Sequence, residues 1–237
     1  MRTPGADFDL AAGFLVSEGI ITRTEELSTM RYCAGKGDTA NEYNILDLTL
    51  GADVKPPDES SARAFFTTSS CGLCGKASID AVRTLSAFSV SDDPLRVTPA
   101  FLATLPDRLR EAQKVFEKTG GLHAAALFNG QTSELLVLRE DVGRHNAVDK
   151  VIGWALREGR LPLRGTILLV SGRASFELVQ KAAMAGIPML CAVSAPSSLA
   201  VDLAQETNMT LVGFLRDPSM VIYAGAERVP ETLDVDL

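Results

Sequence analysis

Three short apolar runs in the second half of the chain, at residues 166–170, 189–193 and 211–215, are separated by helical patterns at 175–185 and 198–207. Runs this short are strands rather than helices, and apolar runs without polar alternation are strands covered on both faces. Strands of that kind joined by helices form parallel crossover units, because parallel neighbours cannot be linked by a tight turn. An α/β domain is therefore predicted from about residue 96 to residue 225. Ahead of it, runs at 123–128 and 134–139 surround Asn129-Gly130, a pair that tolerates positive φ and marks a hairpin. A helix is predicted over 146–158, with Val148, Val151, Ile152 and Ala155 along one side.

The front of the chain is of a different kind. A helical pattern begins at Phe8, with Phe8, Ala11, Ala12 and Leu15 on one face, and strand patterns at 30–34 and 43–50 flank a Gly-Lys-Gly-Asp turn. A polar connection over 51–64 leads to a glycine-flanked loop. Further helices are predicted at 77–88 and 99–118, and the segment 89–94 between them is the best domain boundary. The division expected is residues 1–95 and 96–237. With 46% hydrophobic side chains in 237 residues there is ample material for a core. The net charge of −7 is spread along the chain, which argues against generic attraction to nucleic acid or to anionic membrane. No apolar run is long enough to cross a bilayer and Met1-Arg2-Thr3-Pro4-Gly5 leads into no signal-peptide core, so the expected location is cytoplasmic.

Chemistry points first to sulfur. Cys71 and Cys74 stand one helical turn apart in Ser69-Ser70-Cys71-Gly72-Leu73-Cys74-Gly75-Lys76, ahead of a helical pattern. The thiolate is the reactive form, and free N–H groups at a helix start together with a cation such as Lys76 favour it. Cys33 and Cys191 lie in apolar strand patterns, where cysteine behaves as a small hydrophobe. A structural zinc module would need two further ligands from Cys33, Cys191, His123 or His145, and no second closely spaced pair exists, so no structural metal is expected. A dithiol oxidoreductase is a second alternative, because residues 64–68 have the composition of a strand leading to the thiols.

Two further clusters stand out. The ends of the apolar strands carry Ser171-Gly172-Arg173, 194–198 (Ser-Ala-Pro-Ser-Ser) and Arg216-Asp217-Pro218-Ser219, and ligands of open α/β sheets bind at such ends. Any one of these turns is adequately explained by serine caps and a solvated arginine, while their co-location points to a phosphate cradle. The run 139–150, Arg-Glu-Asp-Val-Gly-Arg-His-Asn-Ala-Val-Asp-Lys, is dense in ionisable groups. Asp149 falls one helical turn after His145 and is placed to orient its imidazole or to compensate a charge, and Asp141 is placed to cap the helix start. A salt-bridged structural helix entrance accounts for the run better than a catalytic one does, because ion-pair networks also concentrate charge. His123, in a strand pattern, reads as a structural histidine.

Cys71-Gly72-Leu73-Cys74-Gly75, the run 139–150 and Val170-Ser171-Gly172-Arg173-Ala174-Ser175, with Met1-Arg2-Thr3-Pro4-Gly5, resemble the formate dehydrogenase accessory sulfurtransferase (FdhD) family over nearly the whole chain. The resemblance implies a sulfurtransferase acting through a cysteine persulfide. A cysteine desulfurase would load Cys71, Cys74 would assist, and the sulfur would pass to molybdenum in bis(molybdopterin guanine dinucleotide) before that cofactor enters apo-formate dehydrogenase. It places the cofactor-binding stretch at Phe214, Leu215, Arg216, Asp217, Pro218 and Ser219, with Arg144, His145 and Arg173 as further candidates for the same pocket. A chaperone that carries the cofactor without transferring sulfur is the alternative.

The family's second half is similar to the cytidine deaminase fold, preceded by a smaller α+β domain. Where a deaminase has its zinc ligands and its proton-shuttling Glu, this chain has Arg144-His145-Asn146-Ala147 and Ser171-Gly172-Arg173-Ala174, so deaminase chemistry is not expected. Relative to the family the chain is expected to be truncated at its start, and its version of the cofactor stretch is less rich in glycine, with Pro218 removing an N–H donor. A homodimer is implied.

Overall fold

The computed structural model describes residues 1–33, 44–55, 79, 82 and 86–232. Its centre is a six-stranded sheet built from β3 (His123–Asn129), β4 (Leu135–Asp141), β5 (Thr166–Val170), β6 (Met189–Ala192), β7 (Thr210–Arg216) and β8 (Ser219–Ala224) in the order β4-β3-β5-β6-β7-β8. The three apolar runs form its middle as a parallel set, β5 beside β6 and β6 beside β7. The hairpin about Asn129-Gly130 adds β3 antiparallel to β5, with β4 outside it.

Side-chain alternation divides the core in two. Ile167 and Leu169 point to one face, where Leu102, Leu105 and Leu109 of helix α2 (Pro99–Ala112) cover them. Leu168 and Val170 point to the other, where they meet α4 (Arg144–Arg157), α5 (Phe176–Met184) and α6 (Ser198–Glu206). Each central strand is therefore buried on both sides, which is why it carries no polar alternation.

Several expectations are corrected. Residues 99–118 are not one helix: the chain leaves helical geometry at Gln113 and resumes as α3 (Lys114–Thr119), where the Glu140 carboxylate accepts hydrogen bonds from the N–H groups of Val115 and Phe116 at 2.9 and 2.7 Å. The run 211–215 does not end in an open loop. It continues to Arg216 and folds straight back as β8, an antiparallel edge strand with no counterpart in the sequence reading. At the front, β1 (Leu27–Tyr32) starts three residues before the expected 30–34, and β2 (Leu46–Leu50) pairs with it as an antiparallel ribbon on which Leu46, Leu48 and Leu50 alternate as expected.

The buried face of α1 (Asp7–Ser17) also differs from expectation. Asp9, Ala12, Gly13 and Val16 are buried, whereas Phe8, Ala11 and Leu15 are only partly covered. The cause is a close crossing with α4. A Cβ added to Gly13 would lie 1.8 Å from the carbonyl oxygen of Asp149, and one added to Gly153 would lie 1.8 Å from the carbonyl oxygen of Asp9. Each glycine thus seats the backbone of the other helix. The opposite side of α1, through Leu10, Ala11, Phe14 and Leu15, lines a cavity of about 650 Å³ shared with Leu46 and Leu48 of the ribbon. Ala12, Val16 and Ile21 join the core that contains α4 and β5, and so do Ile79 and Val82.

Because backbone atoms rather than flexible side chains would be struck, neither glycine tolerates a methyl group without separating the helices. Gly13→Ala and Gly153→Ala are each expected to lower stability by at least about 2 kcal/mol, as overpacked core sites do. The double variant should cost less than the sum of the two, since one displacement relieves both clashes. Urea unfolding followed by far-UV circular dichroism checks both statements.

Candidate functional site

The charged run between β4 and α4 chiefly holds the fold. Arg139 donates from Nε and Nη2 to Asp9 Oδ2 at 3.1 and 2.8 Å, and Arg157 pairs with the other oxygen of the same carboxylate. Asp141 is fully buried and accepts from the N–H of Thr3, the N–H of Gly143 and Nδ2 of Asn146, each at 2.9 Å, while the Lys150 ammonium lies at 2.7 Å. Burial alone would push the Asp141 carboxyl up; Lys150 and the three N–H donors outweigh it and hold the acid below its ordinary range. Lys150 gives its remaining protons to the carbonyls of Thr3 and Glu140. Asp149 does not orient His145. It turns to α5, taking two hydrogen bonds from Lys181 Nζ at 2.8 and 2.9 Å and one from Ser17 Oγ at 2.7 Å.

This ionic frame delivers the start of α4 to the edge of the sheet where β5 and β6 end. Backbone contacts join the turns along that edge. The N–H of Ala174 donates to Ala195, that of Ser197 to Ala174, and that of Phe214 to Ser194. Ser197 caps α6 through the N–H of Ala200 at 3.2 Å, as its position in sequence suggested. Gly213 is required here, since a Cβ would come within 2.8 Å of Pro196 Cδ and 2.9 Å of the Tyr223 ring.

The residues singled out from sequence divide among three places. Phe214 sits at the joined edge with φ of 50°, its ring exposed, whereas the Leu215 side chain is sealed in the core beneath α2. Arg216, Asp217, Pro218 and Ser219 form the exposed tip of the β7–β8 hairpin, with Arg216 paired to Ser219. No helix starts there, so that turn lacks the convergent N–H groups expected of it. Arg144 and His145 instead open α4, Arg173 lies exposed in the turn before α5, and the notch between these two helix starts has its β5 end secured by Ser171, which accepts the N–H of Ala124 at 2.9 Å. His145 Nε2 lies 3.3 Å from Ser175 Oγ and 3.9 Å from Glu177 Oε2. Burial and the neighbouring Arg144 guanidinium lower the His145 pKa below its ordinary 6.5.

His123, read from sequence as structural, faces the same notch. It opens β3 against Gly172, where an added Cβ would meet its Nδ1 at 3.3 Å. Burial first, then Arg144 and Arg173, lower its pKa too. The signal that could have placed it is its position: residue 123 begins a strand whose partner ends at Val170, immediately before Ser171-Gly172-Arg173.

Cys71, Cys74 and Lys76 lie outside the described residues. Cys191 is wholly buried in the middle of the sheet, and burial pushes its thiol far above the range in which a thiolate forms. Cys33 is half-buried just beyond β1. Among the described residues no group of three or more His, Cys, Asp or Glu side chains is arranged to hold a metal ion, and no helix is long and apolar enough to cross a membrane.

Two outcomes follow from these charges. Asp149→Asn leaves the Lys181 ammonium buried without its counter-ion and should cost about 3–5 kcal/mol, while adding Lys181→Met should restore much of that loss; urea titration reads both. The histidines set a pH dependence. Their folded pKa values lie below 6.5, so the native state binds fewer protons than the unfolded chain, and their contribution is complete above 6.5 and lost as pH falls through it. The urea midpoint should therefore drop between about pH 7 and pH 5, and His123→Gln with His145→Gln should flatten that slope.

The geometry can be set beside known proteins. The FdhD/NarQ family model matches residues 1–230. A protein of Mycolicibacterium paratuberculosis named sulfur carrier protein FdhD is 64% identical over 230 residues, covering 97% of this chain and 84% of its own length. Its namesake from Streptomyces coelicolor is 63% identical over 231 residues, with 97% and 82% covered. A crystal structure of a formate dehydrogenase accessory protein from Desulfotalea psychrophila shares the fold, with a TM-score of 0.72, 23% identity, and 97% and 82% of the two chains covered. A family model matching residues 1–230, with relatives at 64 and 63% identity over 97% of the chain, leaves one assignment: the chain belongs to the FdhD/NarQ family.

Proposed function

We propose that this chain is a sulfur carrier that serves formate dehydrogenase by delivering sulfur to a molybdenum cofactor. The observation that carries the reading is the 64% identity, over nearly the whole chain, to a protein named sulfur carrier, in a chain that itself has a Cys-x-x-Cys pair. The buried Cys191 is unavailable for such work, which directs thiol chemistry elsewhere. Cys74 stands five residues before Ile79, a residue packed in the core with Leu178 and Val179 of α5.

In this reading the Cys71 thiolate attacks the outer sulfur of a cysteine desulfurase persulfide. A new S–S bond forms at Cys71 as the desulfurase S–S bond breaks, its cysteine leaves as thiolate, and no net oxidation occurs. Attack of the Cys74 thiolate on the inner sulfur of that persulfide then forms a Cys71–Cys74 disulfide and releases sulfide toward molybdenum. Two equivalents of an external thiol restore the dithiol by exchange, breaking the Cys71–Cys74 bond and leaving oxidised as their own disulfide. The acceptor, bis(molybdopterin guanine dinucleotide), is substrate rather than resident cofactor, and Phe214, the hairpin tip at 216–219 and the Arg144, His145 and Arg173 notch are the groups proposed to hold it. The cytidine-deaminase-like fold of residues 96–237, the cytoplasmic location and the homodimer belong to the same proposal. A carrier of the intact cofactor without sulfur transfer is the alternative within it.

Incubation with a cysteine desulfurase and cysteine, followed by intact mass, tests the reading. One added sulfur is expected on the wild type, removed by reductant and absent from Cys71→Ala. A wild type that takes up none overturns sulfur transfer, and a Cys71→Ala protein that still supports formate dehydrogenase maturation favours the cofactor carrier instead.

A further inference from the structure

We propose that Ser175 is a nucleophile activated by His145, and that this pair at the facing starts of α4 and α5 takes acyl groups from carboxylic esters. The activity is separate from the sulfur-carrier reading and uses no thiol. It follows from where the Ser175 hydroxyl sits, from the base beside it and from the donors on the same helix starts.

Ser175 is the N-cap residue of α5, where a serine ordinarily turns its oxygen back onto the helix N–H groups. Here it makes no such bond. Its Oγ lies 3.3 Å from His145 Nε2, and Glu177 Oε2 lies 3.9 Å from the same nitrogen. The backbone ahead of the serine is held on both sides: Ala174 donates its N–H to Ala195 and accepts that of Ser197, which ties this turn to the one after β6. His145 is the second residue of α4, and the hydrogen bonds of Asp141 to Gly143 and Asn146 fix where that helix starts. Nucleophile and base are therefore positioned by two anchored helix starts.

Two groups compete for the serine proton. Burial alone would push the Glu177 carboxyl up; the Ser175 hydroxyl, its own N–H, His145 and Arg144 outweigh it, so this acid sits below its ordinary range and is the weaker base. Burial first, then Arg144, lower the His145 pKa, so its ring is neutral near pH 7 and able to accept. The remaining charges that act on the ring, Asp149 of α4 and Lys181 of α5, are paired with each other.

In the reaction, Ser175 Oγ bonds to the acyl carbon as its proton passes to Nε2. The ester C–O bond breaks and the alcohol leaves with that proton; water then attacks the acyl-serine by the same route, giving the carboxylic acid and free serine with no net oxidation. The Glu177 carboxylate stabilises the imidazolium between the two transfers. Two donors on the same helix starts lack acceptors: the Phe176 N–H, first of α5, and the Arg144 Nε–H, which is buried. A buried donor without a partner is rare, and an oxyanion would supply one. Among the described residues no carboxylate holds His145 Nδ1, so the pair lacks the orienting member of a full triad, and esters, with better leaving groups than amides, are the class it serves.

An alkyl fluorophosphonate tests this in the full-length protein, with thiols alkylated beforehand so that serine chemistry is read alone. One phosphonyl group per chain is expected by intact mass, mapped to Ser175 by peptide mass and absent from Ser175→Ala. p-Nitrophenyl acetate should likewise leave an acetyl group on Ser175. The labelling rate should be level above about pH 6.5 and fall below it as the imidazole protonates. His145→Gln should slow labelling at least about a hundredfold and remove that pH dependence. Because the Ser175 hydroxyl caps nothing, Ser175→Ala removes no helix bond, and circular dichroism checks that it folds. A wild type that takes up no label, a label on any residue but Ser175, or a rate that His145→Gln leaves unchanged overturns the inference.

Discussion

The crossing of α1 and α4 at Gly13 and Gly153 is the contact on which the rest of this structure depends. Two helix backbones approach until each touches the other's carbonyl oxygen, which only glycine allows. That approach brings the acidic residues of α1 within reach of basic residues on β4 and α4. Asp9 then binds Arg139 and Arg157, and Ser17 reaches Asp149. A larger residue at either crossing point would separate not only two helices but also the buried charges from their partners. Uncompensated buried charge is among the more costly defects a core can carry.

The site inherits its geometry from that frame. Asp141 binds residues on both sides of the turn into α4, together with Thr3 and Lys150, and so sets where the helix begins. Arg144 and His145 are the first two residues of that helix and are left at the sheet edge with their side chains uncommitted to the frame. In one stretch of twelve residues Arg139, the acids, Asn146 and Lys150 are structural, Ala147 and Val148 are core, and Arg144 and His145 are left at the helix start. A dense charged run is therefore neither wholly a salt-bridged entrance nor wholly a site. Its components are separated by whether each residue lies on β4, in the first turn of α4 or further along that helix.

The legible parts of the fold were those governed by burial along one segment. The strands at 166–170 and 189–192, the Asn129-Gly130 hairpin and the helices after β5 and β6 follow from apolar runs and turn chemistry that need no distant partner. The parts that were not legible depend on a partner elsewhere. β8 has a half-exposed pattern and exists because β7 offers it an edge. The break at Gln113 reflects a cap from Glu140, in a different element. The buried face of α1 contains an aspartate and a glycine, which no hydrophobic pattern selects.

Among the site residues the same division holds. The sequence by itself determined the chemistry that is present: a spaced pair of thiols, an Arg-His at a helix start, a Ser-Gly-Arg turn after an apolar strand, and the membership these motifs announce. Only the tertiary structure decided which of them meet. It set His123 beside Gly172, sent Leu215 into the core and Arg216 to a hairpin tip, and gave Asp149 to Lys181 instead of His145. The reason is physical. Residue type and local period act over a few positions and are written in the chain, whereas the partner of a charge is set by how strands and helices pack, and that is decided by backbone contacts such as Gly13 on Asp149, 136 positions distant in sequence.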